Sequence, residues 1–190
     1  MGYIITQADS EHLKQIKSLQ IKNLKSSLDP IEVEREGFVT CDHTIELLAK
    51  MNQPDGHIIA LHDNQVVGYC LVMSPRWREE LDVLKPMFDK IDTLSYKGCP
   101  LSNYVVMGQV CIDKEHRRQG LFRQMYDHFR KCLSPKFDFC ITEIATENTR
   151  SRSAHQAVGF EDVHDYRSFD GINWALVVWP WIEAVHKDSV

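Results

Sequence analysis

The stretch Val110-Cys111-Ile112-Asp113-Lys114-Glu115-His116-Arg117-Arg118-Gln119-Gly120-Leu121-Phe122-Arg123 decides how this chain is read. It leaves an apolar run, Tyr104–Ile112, that predicts a strand. It crosses a short polar turn and enters Gly120–Cys132, where Leu121, Met125, Phe129 and Cys132 share one face and Phe122 and Tyr126 flank it, the pattern of an amphipathic helix. The first turn of a helix carries unbonded N–H groups and the positive end of the helix dipole, which together attract an anion. Gly120 has no Cβ and lets a phosphate approach the backbone. Arg117, Arg118 and Arg123 add positive charge in a chain whose net charge is −5. Two readings fit these residues alone: an anion site, or a solvated basic connection.

Outward from this segment, strands and helices alternate. Tyr3–Gln7 predicts a short strand, and Asp9 or Ser10 caps a helix with Leu13, Ile16 and Leu19 at helical spacing. Residues 25–42 read as irregular, Thr44–Met51 as a helix, and His57–His62 with Val66–Met73 as a hairpin turning at Asp63-Asn64. In the poorly patterned 74–103, a helical stretch over Arg78–Met87 is interrupted by Pro86. Phe139–Ala145 predicts a strand, Arg150–Val158 a helix ended by Gly159, and Phe160–Tyr166 with Asn173–Trp179 a second hairpin through Asp170-Gly171. The order predicts an α/β domain, a mixed sheet with helices on its faces.

The 190 residues fit one domain, and no linker or repeat divides them. The acidic balance argues against nucleic acid as a partner. The longest apolar runs, Val66–Met73 and Trp174–Trp181, are too short to span a membrane. Met1-Gly2 followed by Thr6 loosely fits a myristoylation signal, but Tyr3–Thr6 reads better as the start of a strand. No leader pattern is evident, so a cytoplasmic setting with reduced thiols is expected for the six cysteines. Cys41 and His43 lack a second ligand pair, so no metal site is expected.

Arg117-x-x-Gly120-x-Phe122, preceded by Val110-x-Ile112, resembles the acyl-CoA motif of the GNAT superfamily of N-acetyltransferases. In register downstream, Asn148-x-x-Ser151-x-x-x-His155-x-x-x-Gly159-Phe160 resembles that family's later helix. The sequence departs from the pattern twice. Phe122 stands where Gly or Ala is usual, and His155 stands where Tyr is usual. The resemblance implies a single domain over residues 1–190, with a mixed, mostly antiparallel sheet of about seven strands flanked by helices and splayed at its centre. It implies acetyl-CoA as co-substrate and transfer of an acetyl group to a primary amine, by direct attack in a ternary complex. Cys111 is not expected to form a covalent intermediate, because nothing places a base beside it.

The resemblance also implies roles. Main-chain amides from Arg118 through Gln119, Gly120, Leu121 and Phe122 to Arg123, together with Arg117, hold the pyrophosphate. Val110, Cys111 and Ile112 offer the strand edge to the pantetheine arm, and a strand N–H faces the thioester oxygen. Asn148 and Ser151 either contact the cofactor or cap the helix. His155 is either a proton donor to the departing thiolate or a structural histidine. Glu143 is the candidate base, against an ordinary outward-facing strand residue, and Gln109 is a candidate to hold a water. The irregular segments 25–43 and 74–103 are expected to line the acceptor side. Glu32, Glu34, Glu36, Glu79 and Glu80 there suit either a cationic acceptor or a solvated surface. The acceptor is a small-molecule or protein amine, and a homodimer is left open. The rival reading is a non-catalytic acyl-CoA-binding sensor module.

Overall fold

A computed structural model describes residues 2–29, 31, 38–80, 84–169 and 171–182. Its elements in chain order are β1 (Ile4–Gln7), α1 (Leu13–Lys22), α2 (Ile45–Met51), β2 (Ile58–His62), β3 (Gln65–Met73), α3 (Lys85–Ile91), β4 (Tyr104–Ile112), α4 (Leu121–Leu133), β5 (Phe139–Ala145), α5 (Thr149–Val158), β6 (Glu161–Arg167) and β7 (Asn173–Pro180). Local chemistry sets most boundaries. Asp9 accepts from the Glu11 N–H ahead of α1, and the Thr44 hydroxyl accepts from the Leu47 N–H at the start of α2. Asp63 and Asn64 both take positive φ, the turn that matches the twist of a two-residue hairpin.

The seven strands form one sheet in the order β1-β2-β3-β4-β5-β7-β6. Every neighbouring pair is antiparallel except β4 and β5. Those two run parallel for only three residue pairs, Tyr104 with Phe139, Val105 with Cys140 and Val106 with Ile141. Beyond Val106 the strands part. β4 stays paired to β3 as far as Ile112, and β5 stays paired to β7 as far as Ala145. A register shift between Leu71 and Val72 accompanies the parting and leaves Gly108 as the extra residue on β4. The Val72 N–H donates to Nδ1 of His57 at 3.1 Å, and the other ring nitrogen of His57 donates to the Leu48 carbonyl at 3.0 Å.

Each face of the sheet is covered. On one, Leu13, Ile16 and Leu19 of α1, Leu48 of α2 and Phe88 of α3 pack on Tyr69, Leu71 and Met73. On the other, Leu121, Met125, Phe129 and Leu133 of α4 pack on Cys70, Val72, Val105 and Cys140. Each large side chain so buried contributes roughly 1.5–3 kcal/mol.

Pro86 corrects the sequence reading of 78–87. It does not interrupt a helix but sits in the first turn of α3, where its missing N–H removes no helical bond. Before it, residues 75–80 form a 3₁₀ segment. Asp170, predicted in the second hairpin turn, lies outside the described residues, as do Glu32, Glu34 and Glu36. Glu79 and Glu80 are exposed and pair with Lys85 and Lys50. All six cysteines are free thiols, with Cys70, Cys111 and Cys140 buried. Among the described residues no helix is long and apolar enough to cross a membrane.

Candidate active site

The parting of β4 from β5 opens a cleft that runs to the start of α4. It has a volume of about 400 Å³ and is bounded by Val110, Ile112, the turn through Arg117 and Arg118, the first turn of α4, and α5 at Asn148, Ser151, Ala154 and Ala157. The turn has a demanding backbone. Arg118 takes φ +63° and Gly120, at the helix N-cap, φ +74°. The first i→i−4 bond of α4 is Gln124 N–H to the Gly120 carbonyl at 3.1 Å. The N–H groups of Leu121, Phe122 and Arg123 therefore precede the helical ladder, and all three residues line the cleft. A Cβ on Gly120 would meet only Gln124 Nε2, at 3.6 Å. Glycine is needed there for its left-handed φ more than for room.

The arginine side chains have different duties. Arg117 donates from Nε to the Ile112 carbonyl at 3.0 Å and from its guanidinium to Asn23 Oδ1 at 2.9 Å. It ties the turn to the end of β4 and to α1. Arg123 donates to the Ala157 carbonyl, which couples α4 to α5 across the cleft. Arg118 and Gln119 are exposed.

Asn148 caps α5, with Oδ1 accepting from the Ser151 N–H at 3.2 Å. His155, only 1% exposed, lies between Tyr126 and Phe122. Its Nδ1 is 2.7 Å from the Ser151 carbonyl, which only accepts, so Nδ1 carries the proton. Nε2 then accepts from the Tyr126 hydroxyl at 2.7 Å. Burial lowers the His155 pKa to about 4, against a weaker raising effect of the Ser151 backbone bond, so the ring is neutral. Its single N–H is spent on main chain, with Ser151 Oγ also near, at 3.3 Å.

A second, smaller cavity of about 80 Å³ lies in the gap between the parted strands. Gln109, Val110, Glu143, Ser151 and His155 line it. It shares Val110, Asn148 and Ser151 with the large cleft. Glu143 is half-buried on β5 and accepts from the Tyr166 hydroxyl of β6. Gln109 is fully engaged at its oxygen, which accepts from the Tyr69 hydroxyl at 2.6 Å and from Gln20 Nε2 at 2.8 Å. Its Nε2 donates to the Cys41 carbonyl at 2.9 Å. Only the remaining amide N–H of Gln109 could hold a water. Its evident work is to anchor residues 38–43, which cross over the gap.

That crossing segment is fastened along its length. Val39 exchanges main-chain bonds with Asn23 and Lys25, both at 3.0 Å. The His43 N–H donates to Gln20 Oε1 at 2.9 Å, and its Nδ1 lies 2.8 Å from Gln20 Nε2. Lys17 reaches the His43 carbonyl at 2.8 Å and also Asp42. Burial lowers the His43 pKa to about 4.

The structure thus gathers Val110, Cys111, Ile112, Arg117, Arg118, Gly120, Leu121, Phe122, Arg123, Asn148 and Ser151 around one cleft, while Gln119 is not among its lining residues. Gln109, Glu143 and His155 stand at the gap it opens into. Burial raises the Cys111 thiol to about 12, which leaves it protonated and a poor nucleophile. Sequence reasoning missed Tyr166, Tyr126, Gln20 and Tyr69. Each acts through a contact distant in sequence, and no local pattern announces it. Among the described residues no three His, Cys, Asp or Glu side chains converge as metal ligands would.

The sequence family described as Acetyltransferase (GNAT) family matches residues 20–160 of this chain. In structure the chain is similar to the ribosomal-protein-S18-alanine N-acetyltransferase from Escherichia coli, at 10% identity with 100% of both chains covered and a TM-score of 0.65. It is similar to arylalkylamine N-acetyltransferase 2 from Aedes aegypti, at 10% identity, 96% of this chain and 100% of that one, TM-score 0.68. It is also similar to yncA from Salmonella typhimurium with its cofactor acetyl-CoA, at 14% identity, 100% of both chains and TM-score 0.64. At such identities the likeness is one of fold. No curated protein matches the sequence.

Proposed function

The chain belongs to the GNAT acetyltransferase family, and from that premise we propose that it works as one domain that transfers an acetyl group from acetyl-CoA to a primary amine by direct attack. The observation that carries this reading is the parting of β4 from β5 after Val106 and Ile141, directly beside the uncapped first turn of α4. The first feature leaves an unpaired strand edge for an extended amide-bearing arm. The second is an anion site. A cleft of about 400 Å³ joins them, which suits a ligand with a diphosphate at one end and a pantetheine arm at the other.

In this reading the amides of residues 118–123 grip the pyrophosphate and the β4 edge near Val110 orients the thioester. The amine enters as an ammonium. Glu143, positioned by Tyr166, takes one proton, directly or through a water. The nitrogen attacks the carbonyl carbon, and the C=O electron pair moves to oxygen, where a β4 main-chain N–H stabilises it. Collapse of the tetrahedral species breaks the C–S bond and forms the amide. The nitrogen's second proton passes to the departing thiolate, directly or by way of the Ser151 hydroxyl, and CoA leaves as the free thiol. Holding amine and thioester together supplies about 7–11 kcal/mol of the barrier reduction, more than one acid–base group's roughly 10²–10⁴-fold.

His155 is assigned a positioning role. With its proton on Nδ1 it has none to give the thiolate. It instead holds the main chain of α5 at Ser151, whose hydroxyl, 3.3 Å from Nδ1, is left to donate toward the leaving sulfur. The test is thiol release from acetyl-CoA across a panel of primary amines, with acetylated product identified by mass. Acceptor-dependent release supports the proposal. Saturable CoA binding with no release from any amine would favour a CoA-binding sensor instead.

A further inference from the structure

β4 is least defined by its own ladder where the chemistry is proposed. Beyond Val106 it has lost β5 as a neighbour, and Gly108 stands as the extra residue between the pairs Met107–Val72 and Gln109–Leu71. A strand held by one neighbour across a bulge needs a further anchor if its edge is to keep a fixed place. Gln109 supplies one. It follows the bulge and precedes Val110, which lines both the large cleft and the gap cavity.

The Gln109 amide belongs to a set of buried partners. Gln20 of α1 and Tyr69 of β3 are each 0% exposed, His43 4% and Gln109 8%. Gln20 Nε2 donates to Gln109 Oε1 and to His43 Nδ1, both at 2.8 Å, which uses both of its hydrogens. Gln20 Oε1 accepts from the His43 main-chain N–H at 2.9 Å. Gln109 Oε1 also accepts from the Tyr69 hydroxyl at 2.6 Å, and Gln109 Nε2 donates to the Cys41 carbonyl at 2.9 Å. One orientation of each amide satisfies these bonds. Turning Gln20 over would set its N–H groups against the His43 N–H. Turning Gln109 over would set its oxygen against the Cys41 carbonyl. A polar set with one solution fixes distances in a way that apolar packing, which tolerates sliding, does not.

Gln20 therefore joins two parts that the reaction must hold together. Through Gln109 it holds β4 one residue before the edge proposed to orient the thioester. Through His43 it holds the segment 38–43, which Gln109 also grips at Cys41. Thr40 and Cys41 of that segment line a cavity of about 40 Å³ that opens the gap toward Met87 of α3, on the sheet face opposite α4. The geometry points to Gln20 as a positioning residue for acetyl transfer, one that sets the thioester-bearing edge of β4 relative to the segment on the acceptor side. It lines neither the large cleft nor the two smaller cavities, so it acts through Gln109 and His43. This inference rests on the proposed acetyl transfer.

Two substitutions in the full chain test it. Gln20→Met keeps the volume and removes all three side-chain bonds. Tyr69→Phe removes one bond to Gln109 and almost no volume. Calorimetric titration with CoA counts binding sites and gives Kd. Turnover per site is then measured with saturating acetyl-CoA and the primary amine that the unaltered protein acetylates fastest. A displacement of about 1 Å between reacting atoms costs up to about 10²-fold, so kcat per site should fall about 10- to 100-fold in Gln20→Met and about 3- to 10-fold in Tyr69→Phe. CoA Kd should stay within about threefold in both, because the α4 turn has its own brace in Arg117. A residue that only stabilises the fold would lower the melting temperature and the number of sites while leaving kcat per site unchanged. That result overturns the inference and leaves acetyl transfer intact. A loss confined to CoA affinity, with kcat per site preserved, does the same. If Gln20→Met binds no CoA, Tyr69→Phe decides by the same criterion. If the unaltered protein acetylates no amine while binding CoA normally, acetyl transfer and this inference fall together.

Discussion

Arg117 donates through Nε to the carbonyl of Ile112 at 3.0 Å, so the turn that opens α4 is bolted to the last residue of the strand it has just left. The same guanidinium holds Asn23 at the end of α1. An arginine that first reads as a ligand for phosphate is in large part a brace for the backbone proposed to bind it. Arg117→Ala should therefore weaken CoA binding by shifting the turn. The loss of two bonds worth about 1 kcal/mol each corresponds to roughly 5- to 30-fold in Kd. Arg118→Ala, on an exposed side chain, should change Kd less than about threefold. Calorimetric titration with CoA separates the two, and equal losses would sink the distinction.

Gly120→Ala should be costly although space is available. Its φ of +74° is the issue, and a non-glycine residue there pays roughly 1–2 kcal/mol. CoA affinity should fall about tenfold or the turn should rearrange, with a larger loss for Gly120→Val. Titration of both variants with CoA, alongside their melting temperatures, checks this. Unchanged Kd in both would mean the left-handed turn is irrelevant to binding.

Acid should loosen the fold well before the carboxylates titrate. His43, His57 and His155 are each held near pKa 4, in every case mainly by burial, against about 6.5 in an unfolded chain. Lowered histidine pKa values mean that the unfolded state binds more protons between those limits. The stability they contribute is intact above pH 6.5 and drains away as pH falls toward 4. The slope approaches 1.4 kcal/mol per pH unit for each histidine. Urea melts at pH 7.5, 6.0 and 5.0 test this, and a midpoint that does not fall between the first and last would contradict it.

Glu143→Gln should lower kcat by roughly 10²–10⁴-fold with little change in CoA Kd, since the carboxylate stands at the gap and not in the large cleft proposed for CoA. His155→Ala, by contrast, should retain measurable turnover, because the ring serves through Ser151. A complete loss of turnover in His155→Ala with CoA binding intact would restore the histidine as a proton donor.

Much of this architecture was legible because it is written locally. The strand-turn-helix at 104–133, the Asp63-Asn64 hairpin and the helix ended by Gly159 each announce themselves within a few residues. Gly159 shows how strict such a signal is: its φ is +119°, and a Cβ there would fall 2.6 Å from Trp179 Nε1. The cleft beside the first turn of α4 was legible for the same reason, since main chain builds much of it and motif spacing encodes main chain. The rest was not. Pro86 looks the same from sequence whether it breaks a helix or begins one. The tautomer of His155 is set by a carbonyl four residues back and by Tyr126 on another helix. Gln109 reads as a polar interruption of a strand until Gln20, Tyr69 and Cys41 are seen around it. Residues 30 and 32–37, within the expected acceptor-side segment, lie outside the described structure.

The two sides of the parted strands have one last consequence. If the thiol ester comes in beside α4 while the amine arrives past α3, neither guest stands in the other's doorway. Steady-state kinetics should then show no compulsory sequence of arrival, and desulfo-CoA should compete only against the nucleotide substrate, not against the amine.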